Sequence, residues 1–268
     1  MRDALSKFRV DDKVALVTGG AGLLGRRFCE GLVQAGANVA IVDVDSAVHD
    51  IASQVGPRAA GFVCDVADRS SVQSCTASFL DRFGAIDVLL NNAATKTVDV
   101  RAFFAPFEEY SIDTWREVMS VNIDGMFLMA QSVGRHMLAR GQGGSIVQTA
   151  SIYGLVAPDD RIYEGSHYLG GPINTPAVYA ASKAAVLGLT RWLATHWARA
   201  GIRVNCLVPG GVSSGQNDAF AQRYAEKVPL GRMAVDDEMV PALLYLASEA
   251  SSYVTGQALV VDGGWTAW

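Results

Sequence analysis

The stretch Thr18-Gly19-Gly20-Ala21-Gly22-Leu23-Leu24-Gly25 follows a short apolar run and precedes a stretch with helical apolar spacing. Glycines at such a turn let the backbone approach a pyrophosphate, which the free N–H groups and the dipole of the helix amino terminus then bind. Asp43 ends the next apolar run about 20 residues further on, which completes the dinucleotide-binding fingerprint. We predict cofactor contacts at Gly19, Gly22, Leu23, Leu24, Gly25 and Asp43; the alternative is a structural turn.

Seven short apolar, β-branched runs alternate with longer amphipathic stretches along the chain. They cover residues 14–18, 38–43, 59–64, 86–91, 145–150, 203–208 and 258–261. Because the runs are continuously apolar and the stretches between them are long enough for helical crossovers, both faces of the sheet should be covered. The pattern predicts an α/β fold: a Rossmann-like, doubly wound seven-stranded parallel sheet with helices on both faces.

The length of 268 residues and a hydrophobic content of 50% suit one domain spanning 1–268. Two segments, 95–110 and 154–178, break the alternation of strands and helices. Each follows the carboxyl end of a strand, where open α/β sheets bind ligands. We predict that both are substrate loops, and that 154–178 is an insertion over the mouth of the site.

The formal net charge of −5 gives no basic field for nucleic acid or an anionic membrane. The amino-terminal residues 1–12 lack an apolar core of signal-peptide length, and no later run reaches the roughly 18 residues of a membrane span. We expect a soluble, cytoplasmic protein with a small-molecule substrate and neither nucleic acid nor membrane as partner.

The cysteines and histidines give no sign of a disulfide framework or a metal site. Neither group has metal-ligand spacing, so we expect no metal. The cysteines are interpreted as reduced core thiols: Cys29, Cys64, Cys75 and Cys206.

Tyr179 and Lys183 are four residues apart in the run Tyr179-Ala180-Ala181-Ser182-Lys183. In a helix this spacing puts both side chains on one face. A nearby ammonium stabilises the phenolate, so that a group with an ordinary pKa of about 10 can exchange a proton nearer neutrality. The pair therefore predicts a general acid/base; a solvated helix pair is the alternative.

The residues around Asp43 favour NAD over NADP. A carboxylate can accept hydrogen bonds from both adenosine ribose hydroxyls and would repel a 2′-phosphate. Val44 and Asp45 offer no cation to receive that phosphate. The alternative is that Asp43 only caps the next helix, although Asp45 is better placed to do so.

With these motifs the chain resembles the short-chain dehydrogenase/reductase family over essentially its full length. The remaining matching motifs occur in family order: Asp65-Val66, Asn91-Asn92-Ala93-Ala94, Asn122, Ser151 and Pro209-Gly210. Two features differ. Leu23 stands where the usual family turn has glycine, so that the spacing of Gly19, Gly22 and Gly25 looks like the family's extended branch. The stretch between Ser151 and Tyr179 is also longer than is common in the family.

The resemblance implies a catalytic role for four residues. Tyr179 would exchange a proton with the substrate oxygen as hydride moves at the nicotinamide. Lys183 would lower the pKa of the phenol and hold the nicotinamide ribose, and Ser151 would hydrogen-bond the substrate oxygen. The backbone of Asn122 would bind a water that links Lys183 to solvent. Otherwise Ser151 would be an ordinary strand-end turn residue and Asn122 a helix-kink residue.

The resemblance also implies further cofactor contacts around the same edge of the sheet. Val44, Asp65 and Val66 would lie near the adenosine. Asn91, Ala93 and Ala94 would pass beneath its ribose, although Asn91 could instead chiefly tie neighbouring strands together. The segment over the nicotinamide would supply Pro209, Gly210, Val212 and Ser213.

The insertion carries many hydrogen-bonding side chains, which suit a polyhydroxylated substrate better than an acyl chain. Candidate substrate residues are Lys96, Tyr153, Arg161 and His167. Residues 156–159, 162–165 and 261–268 further resemble reductases of bacterial surface and flagellar sugar biosynthesis. The alternative is a solvated lid or a subunit contact.

The helical stretches 111–140 and 176–200 have broad apolar faces. In the family that the chain resembles, the equivalent helices form a dimer contact and the carboxyl-terminal strand a second. The resemblance implies a homo-oligomer, a tetramer or a dimer. Trp265 and Trp268 could then bury against a neighbouring subunit or border its active site.

The sequence thus predicts an NAD(H)-dependent oxidoreductase that interconverts a secondary alcohol and a ketone on a sugar-like substrate. One alternative is a 3-oxoacyl thioester reductase. Another, of a different class, is a catalytically idle dinucleotide-binding sensor or scaffold, because a fold alone does not establish a chemistry.

Overall fold

The computed structural model describes residues 3–168 and 170–268. In chain order its strands and α-helices are β1 Val14–Thr18, α1 Leu23–Gln34, β2 Asn38–Asp43, α2 Val48–Val55, β3 Ala59–Val63, α3 Arg69–Phe83, β4 Val88–Asn91, α4 Val100–Phe103, α5 Ile112–Met119, α6 Met126–Arg140, β5 Gly144–Thr149, β6 His167–Tyr168, β7 Gly171–Pro172, α7 Ala177–Trp197, β8 Ile202–Pro209, α8 Asp218–Lys227, α9 Val240–Ala247 and β9 Ala258–Val261.

Seven strands form one parallel sheet in the order β3-β2-β1-β4-β5-β8-β9. The chain builds outward from β1 in one direction and then returns to continue from β4 in the other. This reversal is the doubly wound topology, with its switch point between β1 and β4. The predicted fold class is confirmed, and the seven predicted runs coincide with these strands to within two residues at each end.

Both faces of the sheet are covered by helices, as the continuously apolar strands require. On one face Phe79 of α3 and Met129 of α6 pack on the sheet, and on the other Phe28 of α1 and Leu243 of α9 do so. All five residues of β1 are buried. The sheet is therefore packed between two hydrophobic cores, which leaves the carboxyl ends of its strands at one edge.

The predicted helical stretch 111–140 is helical but contains a change of pitch. Helix α5 runs into a π-helix, Ser120–Gly125, before α6 begins. A π-helix inserts an extra residue per turn and often marks a functional site. The predicted stretch 176–200 is helix α7 followed by a 3-10 turn, Ala198–Ala200.

The segment 154–178 contains a 3-10 helix, Asp160–Tyr163, and the antiparallel pair of β6 and β7. It contacts α8 through the ion pair of Lys227 with Asp159 and a hydrogen bond from Arg223 to the carbonyl of Glu164. These contacts fasten the segment beside the carboxyl edge of the sheet.

The four cysteines are free and buried, as predicted. Within residues 3–168 and 170–268 there is no cluster of three or more acidic, histidine or cysteine side chains suited to a metal ion. Across the same residues, no helix combines the length and apolar character that a membrane crossing demands.

Candidate active site

The carboxyl ends of β1, β4, β5 and β8 meet at one edge of the sheet because the strands are parallel. The glycine turn, the Asn91 segment, Ser151 and the segment after Pro209 each follow one of these ends. The fold therefore brings together motifs that are far apart in sequence.

The glycine turn has a backbone conformation that depends on its glycines. Gly19 has a φ of +66°, and a Cβ on Gly25 would lie 2.0 Å from the carbonyl oxygen of Gly19. Helix α1 begins at Leu23, and its N-cap, Gly22, provides no side-chain hydrogen bond, so the first N–H groups remain available. The turn fits a dinucleotide phosphate.

Asp43 is tied to the glycine turn and does not cap the following helix. Its Oδ2 accepts a hydrogen bond from the backbone N–H of Ala21 at 3.0 Å, and its Oδ1 accepts one from Asp45 at 3.2 Å. Helix α2 begins only at Val48. The capping alternative is therefore wrong, and the carboxylate lies beside the turn that would hold the pyrophosphate.

The neighbouring predicted adenosine contacts differ in their exposure. Val44 is exposed, whereas Val66 is buried within the core. The Oδ1 of Asp65 accepts a hydrogen bond from the backbone N–H of Ala67 at 2.9 Å. Asp65 thus shapes the turn after β3.

The side chain of Asn91 links neighbouring strands, which was the alternative to its contact with the cofactor. Its amide donates to the carbonyl of Met126 and to Oε1 of Gln148, both at 2.9 Å. Both amide hydrogens are therefore used in joining β4 to α6 and β5. The side chain is almost wholly buried.

Thr18 and Asn92 join the glycine turn to the segment after β4 through contacts that no motif spacing indicates. Thr18 Oγ1 accepts hydrogen bonds from the N–H groups of Asn92 at 2.9 Å and Ala93 at 3.1 Å. A Cβ on Gly19 would lie 2.8 Å from the Cα of Ala93. The backbones at Gly19 and at Ala93, beside Ala94, thus border the same crevice.

Ser151, Tyr179 and Lys183 come together across β5 and α7. The side chain of Ser151 approaches the phenol of Tyr179, which lies in the first turn of α7, closely enough to lower the pKa of that phenol. The buried ammonium of Lys183 donates to the carbonyl of Thr149 at 2.9 Å and lies 5.8 Å from the centroid of the Tyr179 ring. The spacing of Tyr179 and Lys183 thus has the predicted helical geometry.

The pKa of Tyr179 is raised in the folded protein, whereas the resemblance implied that it would be lowered. Removal of the phenol from water raises its pKa, and the side chain of Ser151 opposes that rise only in part. Burial also lowers the pKa of Lys183 to about 8. The lysine hydrogen-bonds a backbone carbonyl and not the phenol, so it leaves the pKa of Tyr179 raised.

Asn122 lies in the π-helix and is fully buried. Its Oδ1 accepts from the N–H of Thr95 at 2.9 Å, and its Nδ2 donates to Oγ of Ser182 at 3.1 Å. The side chain thus joins the loop after β4 to the helix that carries Tyr179. Its position also matches the helix-kink alternative.

A cavity of about 300 Å³ opens beside Ser151 and Tyr179. Two of the four candidate substrate residues, Lys96 and Tyr153, line it. Arg161 and His167 are not among its lining residues. The Arg161 side chain is 78% exposed and forms an ion pair with Asp159 at 2.8 Å. The two residues are only two positions apart in the chain, so this local contact forms outside the cavity.

The insertion contributes Tyr163, Asn174 and Thr175 to the cavity wall. The hydroxyl of Tyr163 hydrogen-bonds Thr175 at 2.5 Å and donates to the hydroxyl of Tyr153 at 3.4 Å. These phenols form a polar wall that faces the catalytic candidates. Tyr163 and Thr175 were not among the predicted site residues because their pairing depends on the fold of the insertion.

The segment 209–213 is hydrogen-bonded to β9, to the loop at Ala234 and to α8. Gly210 donates to the carbonyl of Val261 at 2.9 Å, and Ser213 donates to that of Ala234, also at 2.9 Å. Val212 forms a bridge with Ala234 as well. Between them, the N–H of Gly211 donates to the hydroxyl of Tyr224. Tyr224, on α8, is a site residue that no motif spacing signalled.

Trp265 is buried within its own chain, so its predicted burial against a neighbouring subunit is wrong. Only 8% of the residue is exposed, because it stacks on Tyr224 behind the cavity wall. Its ring also meets that of Tyr153 edge-on, with centroids 6.5 Å apart. Trp268 is 82% exposed, and its indole donates to the carbonyl of Lys227 at 3.2 Å.

Comparison with known proteins places the chain among dehydrogenases. A family model described as enoyl-(acyl carrier protein) reductase matches residues 20–266. The D-threitol dehydrogenase of Mycolicibacterium smegmatis is 37% identical over 268 residues, covering 97% of this chain and 95% of that protein.

Two solved structures share the fold along nearly the whole chain. A gluconate 5-dehydrogenase from Burkholderia cenocepacia, in complex with NADP and tartrate, has a TM-score of 0.87 and 36% identity, covering 99% of this chain and 100% of that one. A short-chain dehydrogenase from Leptospira borgpetersenii with bound NAD+ has a TM-score of 0.86 and 34% identity, covering 99% and 97%.

Proposed function

The chain belongs to the short-chain dehydrogenase/reductase family, and on that premise we propose that it is an NAD(H)-dependent oxidoreductase that interconverts a secondary alcohol and a ketone on a polyhydroxylated, sugar-like substrate. One observation carries the proposal. Ser151 and Tyr179 line one cavity, and the ammonium of Lys183 is buried behind them, where it donates to the carbonyl of Thr149.

In the proposed reaction Tyr179 exchanges a proton with the substrate oxygen. During oxidation the phenolate of Tyr179 accepts the hydroxyl proton and becomes a phenol, and during reduction the phenol donates that proton to the carbonyl oxygen. Ser151 orients that oxygen through its hydroxyl. When bound, a nicotinamide dinucleotide supplies the hydride acceptor or donor for the carbon.

Lys183 assists the proton transfer through its charge. An ammonium behind the phenol would stabilise the negative charge that develops on the phenol oxygen during the transfer. Asn122 holds the loop after β4 and Ser182 at the same time, which keeps α7 in register with the cavity. A water bound at the backbone of Asn122 would complete a proton path from Lys183.

The cofactor is a nicotinamide dinucleotide, and we propose a preference for NAD. The carboxylate of Asp43 at the glycine turn supports this preference because it would repel a 2′-phosphate. Among similar proteins, one structure contains NADP and another NAD+. The adenosine side would be bordered by Val44, Asp65, Val66, Asn91, Ala93 and Ala94, and the nicotinamide by Pro209, Gly210, Val212 and Ser213.

A sugar-like substrate suits the cavity wall. Tyr163 is paired with Thr175 and donates to the hydroxyl of Tyr153, whose own hydrogen is left for a substrate hydroxyl; an acyl chain could not accept it. The relative from Mycolicibacterium smegmatis is named for a polyol, D-threitol. We further propose that the segment 154–178 acts as a lid, because Tyr163, Asn174 and Thr175 belong both to it and to the cavity wall.

A 3-oxoacyl thioester reductase is the second candidate. The description of the matching family model names an acyl carrier protein, which also carries 3-oxoacyl thioesters, although an enoyl reductase acts on a carbon–carbon double bond. The apolar side of the cavity, formed by Phe103 and Phe104, could also accept a short acyl chain.

We propose that the protein forms a homo-oligomer, a dimer or a tetramer, through helices α6 and α7. Phe127, Leu138 and Trp192 are exposed and line one surface groove of about 360 Å³ on these helices. Light scattering at micromolar concentration tests the proposal. A monomer would contradict it.

The function is tested by initial rates of NADH absorbance with alditols, aldonates and 3-oxoacyl thioesters, with NAD(H) and NADP(H) in parallel. We expect turnover of a hydroxylated substrate with NAD that is lost in Tyr179→Phe. Turnover of the thioesters alone would favour the second candidate. Binding of NAD without any turnover would favour an idle sensor.

A further inference from the structure

Within the part of the chain that the structure describes, the cavity beside Ser151 and Tyr179 is lined by one positively charged side chain and by no negatively charged one. Of its described lining residues, Lys96 alone carries a charge at neutral pH, and none is acidic. Its other polar groups are neutral hydroxyls and amides, among them those of Tyr153, Tyr163 and Asn174. A ligand that fills the cavity therefore meets one positive charge and no negative one.

The other cations near the insertion are already engaged. Arg161 and Lys227 both pair with the carboxylate of Asp159, and Arg223 donates to the carbonyl of Glu164. For Lys96, by contrast, the described part of the chain shows neither an ion pair nor a side-chain hydrogen bond. Its ammonium is thus available to a ligand.

The backbone around Lys96 is held in an unusual conformation. Thr97 has a φ of +66°, a region that β-branched residues rarely adopt. Its N–H donates to Thr95 Oγ1 at 2.9 Å, and its own hydroxyl donates to the carbonyl of Asp99 at 2.8 Å. On the other side, Asn122 accepts the N–H of Thr95 at 2.9 Å. Such strain persists only where surrounding contacts impose it, and it is frequent at ligand sites.

We propose that the physiological substrate is a sugar acid whose carboxylate binds Lys96, with the reacting hydroxyl at Ser151 and Tyr179. This inference rests on the proposed function and narrows its substrate class from hydroxylated compounds to anionic ones. A carboxylate forms a charge-assisted hydrogen bond with an ammonium. A neutral polyol offers the same ammonium only an uncharged hydroxyl oxygen as acceptor, which is a weaker hydrogen bond and disfavours the polyol.

The exposure of Lys96 sets how strongly its charge can favour an anionic substrate over a neutral one. Its side chain stays in contact with water, so solvent screens the attraction. We therefore expect a discrimination of about tenfold in kcat/KM, the order expected for one partly screened charged hydrogen bond.

The test compares aldonates with alditols of the same carbon skeleton: D-threonate with D-threitol, D-gluconate with sorbitol, and galactonate with galactitol. The readout is kcat/KM with NAD for wild type, Lys96→Met, Lys96→Arg and Lys7→Met. Lys7 is a matched control, because it is an exposed lysine in the turn that precedes β1, at the opposite edge of the sheet.

For at least one pair, we expect the kcat/KM of wild type to be about tenfold or more higher with the aldonate than with the alditol. In Lys96→Met this ratio of aldonate to alditol should fall to about one. Lys96→Arg should retain most of it and Lys7→Met all of it. Raising the ionic strength should lower the ratio for wild type.

An alditol preference in wild type, or a ratio that survives Lys96→Met, would overturn the inference while leaving the proposed function intact. Absence of turnover with every pair would overturn the proposed function, and the inference with it. Thermal midpoints of the four proteins should agree, which separates a binding effect from misfolding.

Discussion

The ring of Tyr224 stacks on the indole of Trp265, with centroids 4.5 Å apart and planes inclined by 24°. The hydroxyl of the same tyrosine accepts a hydrogen bond from the backbone of Gly211. A Cβ on Gly211 would lie 2.4 Å from the Tyr224 ring, so only glycine permits this approach. The carboxyl terminus and α8 thus jointly support the segment proposed to cover the nicotinamide.

Tyr224→Phe should therefore weaken cofactor binding more than it weakens the fold. The variant keeps the stack on Trp265 but leaves the N–H of Gly211 without its acceptor, a loss of about 1–3 kcal/mol where the group is buried. We expect the Kd for NADH, measured by fluorescence, to rise by about fivefold or more, and the thermal midpoint to fall by only a few degrees. Tyr245→Phe, on α9, is the matched control. An unchanged Kd would show that Tyr224 serves only as packing.

Tyr179→Phe should abolish turnover without abolishing cofactor binding. The variant removes the proposed proton carrier, for which we expect a loss of about 1,000-fold or more in kcat. The exposed Tyr253 provides a control substitution to phenylalanine. Stopped-flow rates and NADH titration of both variants separate chemistry from binding. Residual activity above a tenth of wild type would exclude Tyr179 as the acid/base.

Ser151→Ala should shift the pH profile of alcohol oxidation towards higher pH. The side chain of Ser151 lowers the pKa of Tyr179, so removal of its hydroxyl raises that pKa further. Because oxidation needs the phenolate, the alkaline rise in kcat should move up in pH as well as fall in height. A profile of reduced height but unchanged midpoint would mean that Ser151 acts on the substrate alone.

Lys183 should make stability depend on pH in a defined window. Its folded-state pKa is about 8, against an ordinary value of 10.5. Between these values the unfolded chain binds more protons than the native one, so the free energy of unfolding rises with pH. Relative to Lys183→Met, wild type should gain stability from about pH 8 to pH 10.5. Denaturant unfolding of both proteins measures this difference, and a constant difference would contradict the lowered pKa.

Asp43→Asn should relax the choice of cofactor. The substitution keeps the size of the side chain and an acceptor for the N–H of Ala21, but it removes the charge that would repel a 2′-phosphate. We expect the NADP-to-NAD ratio of kcat/KM to rise by about tenfold or more. Asp45→Asn, two residues further on, is the control. An unaltered ratio would place cofactor selection elsewhere.

The sequence by itself determined the sheet, the glycine turn and the pairing of Tyr179 with Lys183. These features depend on local regularities: continuous apolar runs, glycines at a strand-to-helix turn, and an i to i+4 spacing within one helix. The role of Ser151 beside Tyr179 was implied by the family resemblance and by no spacing in the sequence, since Tyr179 lies on helix α7 and Ser151 follows strand β5.

Only the tertiary structure decided which polar groups meet across distant segments. The side-chain amide of Asn91 donates its hydrogen bonds to Met126 and Gln148. The guanidinium of Arg161 pairs with Asp159 outside the cavity. The burial of Trp265 on Tyr224 and the raised pKa of Tyr179 likewise depend on long-range packing. Burial and hydrogen-bond partners are properties of the folded chain, so no spacing in the sequence could specify them.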